Sequence, residues 1–278
     1  MSDPSTLKEW IAFAASALEG VVTTPRREAE LLLRAFYNQD ALWLMRHAET
    51  VVEDKELLRQ WIQRRAAYEP LEYICERVSF YSQEFFIERG ALIPRPETEL
   101  LIEKTLLHVN AAKPLTIVEV GVGSGVISIV LAQHLPHARF IGVDISADAL
   151  KVAQRNIEDF GLSDRIELRQ GSLLSCVSES VDVVVSNPPY IAKEAALEPN
   201  ISYEPDRALF GGSVGDEIIK ALLHEVLQRR IALFTCEIGY DQKEPIEAYL
   251  SDFKIQSLEF YKDYAGFDRG FIVKVTDE

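Results

Sequence analysis

The chain of 278 residues is poor in cysteine, methionine and positive charge, and it has no long apolar run. Its three cysteines, Cys75, Cys176 and Cys236, lie far apart. An odd number at such spacing argues against a disulfide framework or a zinc cluster and fits free thiols in a reducing cytoplasm. No segment approaches the ~18 uninterrupted apolar residues of a membrane helix, so no membrane partner is expected. The opening MSDPSTLKEW lacks the basic start and apolar core of a secretory signal. Lys and Arg number 29 against 44 Asp and Glu, a formal net charge of -15. Phosphate binding draws on clustered cations, so nucleic acid is not the expected partner. His134 and His137 sit in HLPHAR, which Pro136 breaks and which has no carboxylate at helical spacing, so no metal site is expected.

What is present suits a globular protein of one large domain or two unequal ones, with 47% hydrophobic and 26% charged residues. Residues 1 to about 70 read as helix. Ser5 is placed to cap a segment whose Trp10, Ile11, Ala14 and Leu18 share one face. Thr24-Pro25 starts a second helix through Leu32, Leu33 and Phe36 to Asn38, and Asp54 caps a third carrying Leu57, Leu58, Trp61 and Ile62. All three tryptophans, Trp10, Trp43 and Trp61, fall here and are expected in the core of a small bundle. RVSFYSQEFFIERGALI, rich in aromatic and β-branched residues, reads as a hairpin or extended linker. The division is therefore 1–75 helical, 76–93 linker and 94–278 a second domain. There helices over 97–109, 126–135, 147 onward and 217–228 alternate with strands over 115–120, 139–144, 165–169, 181–185 and 231–236. A two-strand tail turns near Gly266. Such alternation predicts an α/β fold with a mostly parallel sheet covered on both faces and an antiparallel terminal strand.

Two features of that second domain point to a nucleoside. Strand TIVEV runs into Gly121-Val122-Gly123-Ser124-Gly125 and then a helix. Glycines there let backbone approach a ligand, and the helix N-terminus directs free N–H groups at it. Asp144 ends the next strand, roughly 20 residues on, where a carboxylate can accept both ribose hydroxyls. Turn and acid together imply an adenosine-containing cofactor and no more, since nicotinamide enzymes use a similar turn.

Asn187-Pro188-Pro189-Tyr190 narrows the chemistry. Two prolines hold a stiff extended turn past the carboxyl end of strand VDVVVS. The Asn187 side-chain oxygen and the Pro188 carbonyl can accept both hydrogens of a planar NH₂, and Tyr190 can lie on its flat face. An amide nitrogen has a delocalised lone pair and needs such orientation to attack a methyl group in line.

These segments resemble class I methyltransferases with a Rossmann-like seven-stranded sheet, and more narrowly the release factor glutamine methyltransferases. The likeness runs from about Glu69 to Val275: EPLEYICERVSFYSQEFFIERGALIPRPETELLIE, VEVGVGSGVISIVLA, IGVDISADALKVAQRN, VVSNPPYI, EPDRALFGGSVG, EIGYDQ and DYAGFDRGFIV. Pro94-Arg95-Pro96-Glu97-Thr98-Glu99 is its most discriminating piece. The resemblance implies S-adenosyl-L-methionine as cofactor, S-adenosyl-L-homocysteine as product and peptide chain release factors as partners. The methyl acceptor would be the glutamine of their Gly-Gly-Gln loop, and the helical N-terminal third would be a docking domain. It carries catalytic roles to Asn187, Pro188 and Tyr190, substrate binding to Asn187 through Tyr190, and cofactor binding to Gly121 through Gly125, Asp144, Ser172, Leu173 and Asn187. Ser172 and Leu173 stand where relatives often carry an acid and an aromatic, and Glu119 where they often carry aspartate.

Other readings remain open on the residues. A ribosomal-protein glutamine or nucleic-acid amino methyltransferase would share the centre. A cofactor-binding assembly factor would have no use for Asn187-Pro188-Pro189-Tyr190, and a dehydrogenase leaves that motif without a purpose. Arg95 and Glu97 are equally readable as ligand contacts or as caps of a helix beginning at Pro96. Tyr203, Glu204, Asp206 and Arg207 are readable as a lid, as a release-factor contact or as a solvated loop.

Overall fold

Thr6, not Ser5, opens the first helix of the computed structural model, which describes residues 4–276. The Thr6 side chain accepts from Glu9 N–H, and Glu9 carboxylate accepts from the N–H groups of Thr6 and Ser5. This reciprocal capping box satisfies donors that a helix start leaves free, and a glutamate three residues after Thr6 makes it possible where Ser5 has no such partner. Helix α1 (Leu7–Ala17) is followed by α2 (Pro25–Tyr37), α3 (Ala41–Arg46), α4 (Lys55–Ala66) and α5 (Leu71–Cys75). Thr24 and Pro25 start α2 as expected, Asn38 closes it in the left-handed region, and Asp54 caps α4 through Leu57 N–H. Trp10 is fully buried, with the Arg59 guanidinium 5.4 Å above its ring. Trp43 and Trp61 pack against the same cluster, Trp43 stacked on His47 and Trp61 edge-on to Phe36.

These helices and Glu198–Tyr203 form one compact unit; residues 77–197 and 204–278 form the other. Within the first unit, the short 3-10 turn Ile201–Tyr203 is tied by Tyr203 hydroxyl donating to Ala67 carbonyl at 2.5 Å.

The second unit begins with hairpin β1 (Arg77–Phe80) and β2 (Gln83–Phe86), then α6 (Thr98–His108). Strand β3 (Thr116–Val120), α7 (Val126–His134), β4 (Arg139–Asp144), α8 (Ala147–Asp159) and β5 (Ile166–Gln170) make two successive parallel crossovers. The chain then returns to the other side of β3 as β6 (Val183–Ser186). It continues through β7 (Ile191–Ala192), α9 (Asp206–Leu209), β8 (Phe210–Gly212), α10 (Glu217–Gln228), β9 (Leu233–Glu237) and α11 (Lys243–Leu250). Strands β10 (Ile255–Lys262) and β11 (Asp268–Val275) close it. Seven strands form one sheet in the order β10-β11-β9-β6-β3-β4-β5, with β11 antiparallel to β9. This is the mostly parallel α/β sheet the sequence predicts. One core cluster joins Val118, Val184, Phe234 and Phe271 of the sheet to Leu222, Leu223 and Val226 of α10.

The reversal of strand order beside β3 decides where a ligand can sit. Residues at the carboxyl ends of β3 and β6 are neighbours, with Val120 in register with Ser186. The loops after those strands diverge to opposite sides and open a crevice between them.

Candidate active site

A cavity of about 350 Å³ occupies this crevice. The glycine turn supplies Gly121, Val122, Gly123 and Ser124 to its wall; Asp144 enters from the end of β4, and Gly171, Ser172 and Leu173 from the loop after β5. Asn187, Pro188 and Pro189 line it from the opposite side. The sequence therefore brings together residues from four separate strand ends.

The turn is shaped by its glycines and by two side chains. Gly121, Gly123 and Gly125 all have positive φ. Gly123 N–H donates to Asp144 Oδ2 at 3.0 Å, and Ser146 N–H donates to Oδ1 at 2.8 Å. Burial pushes the Asp144 carboxyl above its usual range, opposed by these N–H donors. Each oxygen keeps a lone pair for a ligand hydroxyl. Gly125 does not line the cavity. It starts α7, and a side chain there would lie 3.4 Å from Ala153 Cβ on α8. Buried Asn156 holds the turn from outside: its amide nitrogen donates to the carbonyls of Ser124 and Phe86, and its oxygen accepts from Phe86 N–H. Asn156 ends the segment IGVDISADALKVAQRN, but its holding role does not show in the sequence, because its partners lie far away along the chain.

Glu119 also reaches the cavity, although only 1% exposed. Ser128 donates to its Oε2 through both N–H and hydroxyl. Desolvation dominates and raises its pKa to about 8, so the group is held mainly protonated at neutral pH.

The Asn187 loop is fixed from four directions. Ser186 hydroxyl donates to Val120 carbonyl at 2.7 Å, tying the loop's root to β3. Gly211 and Gly215 pack against its backbone: a side chain at Gly211 would strike the Pro189 carbonyl, and one at Gly215 the Tyr190 carbonyl. Gln242 amide donates to the Tyr190 carbonyl at 3.0 Å. Asn187 amide nitrogen donates to Thr98 hydroxyl at 3.0 Å, and Thr98 donates in turn to Glu237 Oε2 at 2.8 Å. Tyr190 is not part of the cavity wall; its hydroxyl approaches Glu237 Oε1 at 3.4 Å, and burial pushes its phenol pKa up. Burial likewise lifts Glu237 to about 7, against the pull of Thr98, Arg269 and Tyr190.

Of the residues left open by sequence, Arg95 bonds Glu204 Oε1 at 2.5 Å, while Ile93 N–H donates to Glu204 Oε2. Arg95 is thus a fastener of the segment before α6, and Glu97 precedes that helix without a side-chain cap bond. The helix starts at Thr98, not Pro96. Arg207 lines the cavity, together with Leu92, Pro94 and Pro205, to which the sequence assigned no ligand role. His134 closes α7 through Val130 carbonyl. Among the described residues, no His, Cys, Asp and Glu group could hold a metal.

Comparison with known proteins decides the family. The Methyltransferase small domain family matches residues 96–204, and the PrmC N-terminal domain family residues 9–75. A release factor glutamine methyltransferase of Moorella thermoacetica is 35% identical, with 98% of this chain and 100% of that protein covered. Those of Koribacter versatilis and Dictyoglomus turgidum are 36% and 38% identical, each covering 89% of this chain and 91% and 90% of their own length. The chain belongs to the release factor glutamine methyltransferase family. Solved structures share the family's fold at lower identity. The hMettl16 catalytic domain bound to hairpin 6 of the MAT2A 3'UTR is 17% identical, with a TM-score of 0.57 over 70% of this chain and 76% of that one. The ribosomal protein L11 methylase of Lactobacillus delbrueckii subsp. bulgaricus is 22% identical, with a TM-score of 0.50 over 68% and 84%.

Proposed function

We propose that this member of the family transfers a methyl group from S-adenosyl-L-methionine to the side-chain amide nitrogen of the Gly-Gly-Gln glutamine of peptide chain release factors. The observation that carries the reading is the meeting of Asn187, Pro188 and Pro189 with the glycine turn and Asp144 around one cavity.

The residues fit the cofactor. Gly121 and Gly123 line the cavity with backbone at positive φ, and Asp144 presents a carboxylate for the ribose hydroxyls. Gly121 through Ser124 would hold the amino-acid end, Asp144 the ribose, and Ser172 and Leu173 the adenine side, with Gly125 shaping the turn. When bound, the cofactor supplies an electrophilic sulfonium methyl. Asn187 Oδ1 and the Pro188 carbonyl accept the two hydrogens of the glutamine amide and aim its nitrogen into the cavity. They would also stabilise the positive charge that develops on nitrogen as its bond to the methyl carbon forms and the sulfonium C–S bond breaks, leaving S-adenosyl-L-homocysteine, after which nitrogen loses one proton to water. The acceptors are preorganised because Thr98, Ser186, Gly211 and Gly215 already fix the loop. Tyr190 braces Asn187-Pro188-Pro189 from the side of Glu237, behind the cavity wall.

The helical unit, 1–75, is the docking part of this reading and 94–278 the catalytic part, joined through 76–93. Its match to the PrmC N-terminal domain family supports that assignment. Cys176 and Cys236 form no disulfide, which agrees with action in the cytoplasm, where release factors work.

The deciding experiment incubates the protein with labelled S-adenosyl-L-methionine and an intact release factor and maps the label by mass spectrometry. Label on the Gly-Gly-Gln glutamine, abolished when that glutamine is replaced by alanine, is the expected result. Label confined to ribosomal protein or nucleic acid would overturn it.

A further inference from the structure

Thr98 and Glu237 lie outside the acceptor pair, yet they settle which end of the Asn187 amide is free. A threonine hydroxyl has one hydrogen. Here it goes to the Glu237 carboxylate, which when ionised can only accept. Thr98 Oγ1 can then offer Asn187 nothing but a lone pair, so Asn187 must turn its NH₂ toward Thr98. Its Oδ1 accepts no hydrogen bond among the described residues and is left for a ligand. Both relay groups are buried, Thr98 at 2% and Glu237 at 1% exposure, with Thr98 at the edge of the cavity.

From this geometry we infer that Glu237 and Thr98 form a positioning relay that sets the polarity of the Asn187 amide and so keeps its oxygen facing the substrate. The inference rests on Asn187 being the acceptor of the substrate amide. Neither relay residue touches the reacting atoms. Protonated Glu237 could donate to Thr98 Oγ1, freeing the threonine hydrogen to point at Asn187 and favouring the flipped amide, with NH₂ toward the substrate. Two donors would then face each other, and the nitrogen would lose its orientation. The groups that face Glu237 are Tyr190, the cation of Arg269, the carboxylate of Glu97, Cys236 and Tyr261. Of these only Arg269 favours the ionised form by its charge. With the Glu237 pKa at about 7, the relay changes hands near neutrality.

The test uses the full-length protein with an intact release factor, in single-turnover methylation and cofactor titration. Thr98→Val keeps the shape and removes the hydroxyl. The methyl-transfer rate should fall ~10–100-fold, in the range that a small misplacement of a reacting group produces. The dissociation constant for S-adenosyl-L-methionine and the KM for the factor should each stay within about twofold, a change of under ~0.5 kcal/mol. Thr98→Ser should restore most of the rate. In the wild type the rate should rise with pH through about 7 as Glu237 ionises. In Glu237→Gln, which has no proton to lose, that rise should vanish. A Thr98→Val enzyme at wild-type rate, or a Glu237→Gln profile that keeps the rise, would overturn the relay. Neither result would touch the release-factor reading, which fails only if the wild type leaves the glutamine unlabelled. A readout independent of any substrate is the side-chain amide resonance of Asn187 in protein labelled with ¹⁵N-asparagine, assigned by its loss in Asn187→Asp. It should shift across neutral pH in the wild type and stay fixed in Glu237→Gln. A signal indifferent to pH in the wild type overturns the relay.

Discussion

Asp144 serves two sets of partners at once, because the oxygens that would meet a ribose already accept Gly123 and Ser146 N–H. Asp144→Ala therefore removes ligand contacts and loosens the turn beside them. Taking charged hydrogen bonds at about 1.5–3 kcal/mol each, with partial compensation by water, cofactor affinity should weaken by ~2–4 kcal/mol. Calorimetry would show it, and an unchanged dissociation constant would remove Asp144 from the site. Asn187→Ala should behave in the opposite way. Losing one preorganised acceptor should slow methyl transfer ~10²–10³-fold, while cofactor affinity moves by less than ~1 kcal/mol, one ordinary hydrogen bond. Single-turnover rates beside titration separate the two, and a near wild-type rate would reduce Asn187 to a turn residue. At this scale the contiguous patterns Gly121 to Ser124 and Asn187 to Pro189, legible in the sequence, do meet at one cavity, while Gly125 and Tyr190, read with them, lie off its wall. For Thr98, Asn156 and Glu237 the motif segments included the residue but not its role. Each acts through partners tens of residues away, and only the folded sheet brings those together.

Elements could be read in the sequence to the extent that their own residues decide them. The amphipathic run of α10 was placed at both ends correctly, as was β4, and Ser146 does cap α8 through Ala149 N–H. Helices α3 and α5 are too short for a 3.6-residue pattern to emerge, and α11 carries Pro245 within its first turn, where proline is tolerated but reads as a breaker. Strands β7 and β8 exist only as partners of each other. The misplaced start of α1 has a measurable consequence. Thr6→Ala removes the acceptor of the Glu9 N–H and should lower stability by about 0.5–2 kcal/mol, while Ser5→Ala should change little. Thermal melts of the two variants would decide it, and equal losses would mean that the capping box is not what starts the helix.

For the whole molecule, a net charge of -15 sets the partner problem. On the proposed reading the partner is a protein, whose recognition can draw on apolar surface and shape. The helical unit offers such surface at Leu42 and Met45, 51% and 76% exposed. Replacing both by glutamate should raise the KM for an intact release factor about tenfold, the effect of losing ~1.4 kcal/mol. Methylation of a short Gly-Gly-Gln peptide and cofactor affinity should stay unchanged. A KM that does not move for the intact factor would take docking away from this face.

Glu198–Tyr203 belongs to the same unit as residues 1–76 although the whole stretch 77–197 lies between them in the chain. During synthesis the helices emerge from the ribosome first but wait for their last piece. At about 5–20 residues per second, making 77–197 takes roughly 6–24 s. For that interval the nascent helices lack the turn whose Tyr203 hydroxyl meets Ala67, and residues beside it stay open to chaperones and proteases. The N-terminal unit is therefore first to be made and among the last to be finished, and a ribosome stalled before residue 203 would leave it incomplete.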